Sequence, residues 1–244
     1  AWADTATNTQ AAQSPARCAS CLRNITIHNS KMKKYYFLVV SIILLSFSII
    51  AFSDNLITDV GQKSNSDPKF IIHGLFCFAW FIILVIQTNF IRKENYKAHM
   101  RLGIAGLIAA FGVFITTLYI FIVIYKGWDN MSPLVKANRF FMLSFAIMVT
   151  IAYFNRQKPA YHKRLIFVAT FYMLGPILDR AMGRSFLDSM LTTDLSWDPT
   201  FFGIWTSFFI SLFIYDWAIL KKIHTVTYLG FFVFCIIWTI SFLS

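Results

Sequence analysis

Three histidines, His99, His162 and His224, recur at intervals of 63 and 62 residues, each beside lysine or arginine and each just ahead of an apolar run. Three imidazoles at one depth form a first shell suited to zinc or iron, which accept nitrogen donors, and two imidazoles suffice to hold a haem iron axially. Asp216 lies eight residues before His224, where it serves either as a fourth ligand or as the group that orients an imidazole. The spacing lacks the i, i+4 histidine pair of a zinc-binding helix. The same residue types also mark helix boundaries at a lipid surface, where basic side chains reach out to water. Proton handling and contact with lipid headgroups are further uses of this set.

A second constellation comprises His73, Arg139, Asp179 and Arg180, with Asn138 nearby. Ionisable groups inside apolar segments are costly unless they face a protein interior and find partners. This group therefore suits an anionic ligand or a quinone headgroup, or else an interhelical salt bridge linking Asp179, Arg180 and Arg139. Other chemistries lack their motifs. The chain has no G-x-S-x-G elbow, P-loop or H-E-x-x-H, and its last apolar run has no lysine for a retinal Schiff base. Cys18 and Cys21 form a C-x-x-C followed by Leu22 rather than the histidine of haem attachment, and no second pair completes a zinc site. Cys77 and Cys235 fall within apolar runs and read as packing residues.

The elements that must position these residues are set by composition. Apolar residues make up 57% of the 244 positions and charged residues 14%, with 27 phenylalanines. A soluble domain carries roughly a quarter charged residues and could not hide so much apolar surface from water. Lipid as solvent removes that conflict. Apolar runs at about 35–53, 69–91, 102–125, 139–154, 165–179, 200–220 and 225–243 compare with the roughly 20 helical residues that span a bilayer core. The fold class expected is all-α: a polytopic membrane protein with a bundle of about seven transmembrane helices. The fourth and fifth runs are short and need a few interfacial residues to span. Pro176 after Gly175 should kink the fifth helix near its outer third.

The first run also has the form of a cleaved signal peptide, but it is longer than the roughly 7–15 residues of a signal's apolar core, which favours a retained anchor. Residues 1–31 are polar and aperiodic and read as a disordered or non-native tail ahead of Met32, leaving 32–244 as one transmembrane domain.

The net charge of +11 does not indicate nucleic acid, because the basic residues sit in short clusters between apolar runs. Counted from Lys31 onward, thirteen lie before the first run or between runs two and three, four and five, or six and seven, against seven on the other side. The positive-inside rule then puts the amino terminus in the cytoplasm and the carboxyl terminus outside, in a bacterial inner membrane. The expected partners are the lipid bilayer and either a small-molecule ligand or other subunits of a membrane complex.

The strings His99-Met100-Arg101-Leu102 and His162-Lys163-Arg164-Leu165 repeat as H-x-R-L and suggest helical hairpins repeated in parallel. Together with His73, Trp80 and Gln87, with Gly103, with Asp179-Arg180, and with Tyr215-Asp216 ahead of His224, they resemble a group of uncharacterised bacterial multi-pass membrane proteins. That group carries H-R-x-L-G and H-K-R-L helix boundaries. The resemblance covers about residues 69–224 and implies that these positions act as a set; it implies no particular activity. A likeness to haem-binding four-helix membrane cytochromes rests on the histidines alone, since paired histidines within single helices are missing. The function expected is a metal- or haem-binding membrane protein in a redox or metal-dependent role. The alternatives are a non-enzymatic protein that binds or transports a small ligand or lipid, and a structural subunit.

Overall fold

The computed structural model describes residues 15–55, 61, 65–185, 187–191 and 193–243, which are helices and connecting turns with no strand among them. In chain order the helices are α1 (Pro15–Ala51), α2 (Pro68–Arg92), α3 (Tyr96–Val123), α4 (Pro133–Phe154), α5 (Pro159–Tyr172), α6 (Gly175–Met182), α7 (Leu187–Met190), α8 (Asp194–Leu220) and α9 (Thr225–Leu243). Among the described residues six segments are long and apolar enough to cross a membrane, or seven with α5 and α6 counted as one span bent by 51°. The protein is an all-α, multi-pass membrane protein.

Helix starts are set by local chemistry. Asp67 caps α2 by accepting from the Lys69 N–H at 3.1 Å, and Pro68 follows, a residue that needs no partner for an N–H it lacks. Asn95 caps α3 through the Ala98 N–H at 3.1 Å. Ser132 precedes Pro133 and accepts from the Val135 N–H, so α4 begins ahead of the expected position 139. Lys136, Asn138 and Arg139 sit in its first turns and break the apolar run without breaking the helix. Gly127 takes φ 93° in the α3–α4 connection, a left-handed backbone open to glycine. Over residues 15–31 the backbone continues α1. A helix already nucleated in the apolar segment extends at little cost per residue. Residues 1–14 lie outside the described residues.

The centre of the bundle is the bent span. From Arg164 to Leu178 every residue except Ile166 and Pro176 is buried, so this stretch of the bent span touches protein on nearly all sides. Helix α3 instead carries an exposed stripe of Ile104, Ile108, Phe111, Ile115 and Ile122, the surface expected against lipid. Pro176 has no N–H to offer the Tyr172 carbonyl, and the chain breaks between Tyr172 and Gly175. The Phe171 carbonyl freed there accepts from the Leu174 N–H at 3.2 Å and from the Trp205 indole N–H at 2.7 Å. A Cβ on Gly175 would lie 2.5 Å from Asn138 Oδ1 and 2.9 Å from the Trp205 ring, so the break is packed tightly against α4 and α8. Trp205, Phe141, Phe209 and Phe234 fill the interior beside it, with ring centroids 4.9–5.0 Å apart. Such pairs add about 0.5–1.5 kcal/mol each beyond area burial.

Candidate functional site

The three histidines stand at one end of the bundle in matching positions. His99 and His162 each occupy the first turn of an odd-numbered span, with N–H groups bonded to the Asn95 and Lys158 carbonyls at 3.1 and 3.0 Å, and His224 immediately precedes α9. Their ring centroids place His99 and His162 together, 6.3 Å apart with planes at 88°. His162 Nδ1 lies 2.9 Å from the Ala152 carbonyl oxygen. A carbonyl can only accept, so Nδ1 carries the proton and a neutral His162 keeps its lone pair on Nε2. Gln87 at the end of α2 donates to the His99 carbonyl at 3.1 Å. Its Oε1 and His99 Nδ1 are both buried without a hydrogen-bond partner. Unmatched buried polar atoms are uncommon in a folded protein and call for an explanation.

Asp216 and His224 belong to a different arrangement. Asp216 is fully buried, and its Oδ1 accepts from Arg164 Nε at 2.7 Å and from Arg164 Nη2. Its Oδ2 accepts from the His224 N–H at 3.0 Å and the Thr227 hydroxyl at 2.6 Å. The carboxylate is therefore a cap for α9 and a counter-ion for Arg164, with both oxygens engaged. The His224 ring accepts from the Val226 N–H at 3.2 Å and packs edge-on against Tyr161. Burial, and then the neighbouring Arg164 guanidinium, hold the His224 imidazole below its ordinary pKa. Among the described residues no three His, Cys, Asp or Glu side chains form a group that could hold a metal ion. The four-residue ligand set anticipated from sequence is split in two: His99 with His162, and Asp216 with the His224 backbone.

Sequence reasoning missed Arg164, Lys163 and Thr227, counting the first two only as topology charges. A signal was present. Arg164, Val168 and Tyr172 follow one another at i, i+4 and so share a helix face. Val168 packs against Gly230 and the Tyr172 hydroxyl donates to the Gly230 carbonyl at 2.8 Å, which turns that face toward α9. Lys163 Nζ donates to the Tyr215 hydroxyl at 2.9 Å.

The opposite end gathers less than expected. His73 Nδ1 lies 2.9 Å from Thr116 Oγ1, and Cys77 Sγ lies 3.4 Å from His73 Nε2. Arg139 turns to α3 instead of crossing the bundle: it donates to the Phe121 carbonyl at 3.2 Å and covers the Phe121 and Tyr125 rings. Asp179 engages Trp197, and Arg180 stacks on Phe52 at 4.8 Å. Arg184 pairs with Asp54. Aromatic faces and carbonyls thus satisfy the cations that sequence had assigned to a shared ligand. Comparison of the chain with family models, with curated proteins and with solved structures gave no match.

Proposed function

We propose that the protein is a polytopic membrane protein that holds a first-row divalent metal ion, zinc or iron, between His99 and His162, in a redox or other metal-dependent role. The observation that carries this reading is the histidine pair itself. A ring nitrogen sits about 1.2 Å from its centroid, so with bonds of about 2.0–2.1 Å two imidazoles on one ion have centroids up to about 6.5 Å apart. The separation of 6.3 Å falls just inside that limit and sets the two nitrogens nearly opposite each other, at about 150–160°, which fits trans ligands of a six-coordinate ion, while tetrahedral zinc needs the rings to close up by about 1 Å. The His162 Nδ1–H bond to the Ala152 carbonyl is the outer support that metal-bound histidines usually have. Gln87, whose Nε2 donates to the His99 carbonyl, has a buried and unmatched Oε1 that offers a third oxygen donor on a neighbouring helix. Gln87 packed on the His99 backbone favours a single ion over a haem macrocycle. The surplus of basic residues in the loops at this end supports a cytoplasmic position for it, with the carboxyl terminus outside, in our reading as a bacterial inner-membrane protein.

The test is elemental analysis and visible absorption of the purified full chain. About one zinc or iron per chain and no haem Soret band is the expected result, with His162→Ala and His99→Ala each losing the metal while keeping the helical circular dichroism. A chain purified without stoichiometric metal, or a His162→Ala variant that retains it, overturns the assignment.

A further inference from the structure

Lys163 follows His162 directly, yet it faces other helices. Its Nζ has the Tyr215 hydroxyl as a hydrogen-bond partner and lies 4.8 Å from the Phe37 ring centroid and 5.1 Å from that of Tyr215. Among the described residues it makes no ion pair. Asp216, next to Tyr215 in the chain, has both oxygens engaged by Arg164, the His224 N–H and Thr227. An ammonium carries three donors, so two remain. Lys33 of α1 lies within electrostatic range of Lys163 and adds charge of the same sign.

The wall around this ammonium is built and rigid. Tyr36 stacks on Tyr215 with centroids 4.5 Å apart and bonds Ser211 through its hydroxyl at 2.8 Å. Phe37 packs edge-on against both Tyr215 and Phe167. Tyr161 and Trp217, 42% and 62% exposed, stand at the same end, where aromatic side chains mark a headgroup region. A half-buried cation on apolar faces, with free donors and only the Arg164-paired Asp216 carboxylate in electrostatic range, is chemically matched to an anion that arrives from the lipid side.

We propose that Lys163, with Lys33, binds the phosphate of an anionic phospholipid. The ammonium supplies the charge and its free donors the hydrogen bonds, while the buried Tyr215 hydroxyl holds it in place from below. The rings below it exclude water, which strengthens the ion pair relative to one on an open surface.

The test uses the purified full chain in detergent micelles doped with phosphatidylglycerol, with phosphatidylcholine, or with neither and inorganic phosphate instead. Filling one site at about a hundredfold above its Kd should raise Tm by about 5–10 °C. Phosphatidylglycerol is expected to give that shift, and phosphatidylcholine and inorganic phosphate are expected to give none. Lys163→Gln should lose it, whereas Lys222→Gln, at an exposed lysine of the same end, should keep it. Equal loss in both variants means diffuse attraction and overturns the site, as does a shift that survives in Lys163→Gln. An equal shift from inorganic phosphate overturns a lipid as the occupant. Native mass spectrometry of the unaltered chain is independent of any variant's folding. One phosphatidylglycerol retained in preference to phosphatidylcholine supports the site, and an unselective ladder of both lipids overturns it.

Discussion

Replacing Asp216 with Leu should unfold the histidine end, and replacing Arg164 at the same time should restore most of it. The two side chains are 0% and 1% exposed, so neither charge can recover its hydration if the other is removed. Breaking a buried pair from one side costs about 3–5 kcal/mol. In a chain of this size about 2–4 °C of Tm accompanies each kcal/mol, which places Asp216→Leu about 6–20 °C below the parent. Arg164→Met alone should fall in the same range, because Asp216 would keep its two α9 donors but lose its counter-ion. The double variant Arg164→Met/Asp216→Leu contains no buried charge. What it lacks is an acceptor for the His224 N–H and the Thr227 hydroxyl, worth about 1–3 kcal/mol. A double-mutant cycle by thermal unfolding in one detergent should thus give a coupling energy of at least about 3 kcal/mol between the two positions. A double variant as unstable as the sum of the single ones, or Asp216→Leu costing under about 1 kcal/mol, would refute the view that this pair is desolvated and mutually required.

Glycine contacts give a second test. A Cβ on Gly230 would lie 2.6 Å from Cγ1 of the buried Val168, a stiff β-branched side chain that cannot turn away, whereas Gly203 has nothing within 4 Å. Gly230→Ala should lower stability by about 1–3 kcal/mol, and Gly203→Ala should be neutral or raise it by up to about 1 kcal/mol, both read by thermal unfolding. Orientation is checked with reporter fusions in a bacterial host: alkaline phosphatase at the carboxyl terminus should be active and green fluorescent protein there dark, and the reverse pattern would invert the assigned direction.

The spans were legible because lipid imposes a length and an apolar content that few other constraints mimic. The break before Pro176 was legible for an equally local reason, the missing N–H, and it occurs where Gly175-Pro176 placed it. The place of the histidines at helix starts was legible too, since each stands where a basic loop meets an apolar run. Partner choice was not. Arg139 sits in sequence like a cation awaiting Asp179, yet the Phe121 carbonyl and two rings lie closer to hand. Gln87 reads as an ordinary packing amide until the start of α3 is folded back against the end of α2 and leaves its Oε1 unmatched. These are questions of which helix faces which, and an apolar run that is buried on nearly all sides, as that of α5 is, has no polar face to announce its rotation.

That rotation explains why the anticipated ligand set divides. Successive residues of an α-helix diverge by about 100°, so His162, Lys163 and Arg164 cannot converge on one ligand. His162 points to the end of α4 and to His99 of α3, Lys163 to Phe37 of α1 and Tyr215 of α8, and Arg164 to Asp216 of α8 beside the start of α9. Any ion at His162 must therefore draw its other donors from α2 and α3, where Gln87 and His99 stand. Asp216 and His224 lie on the side that Arg164 faces and are excluded by geometry rather than by chemistry.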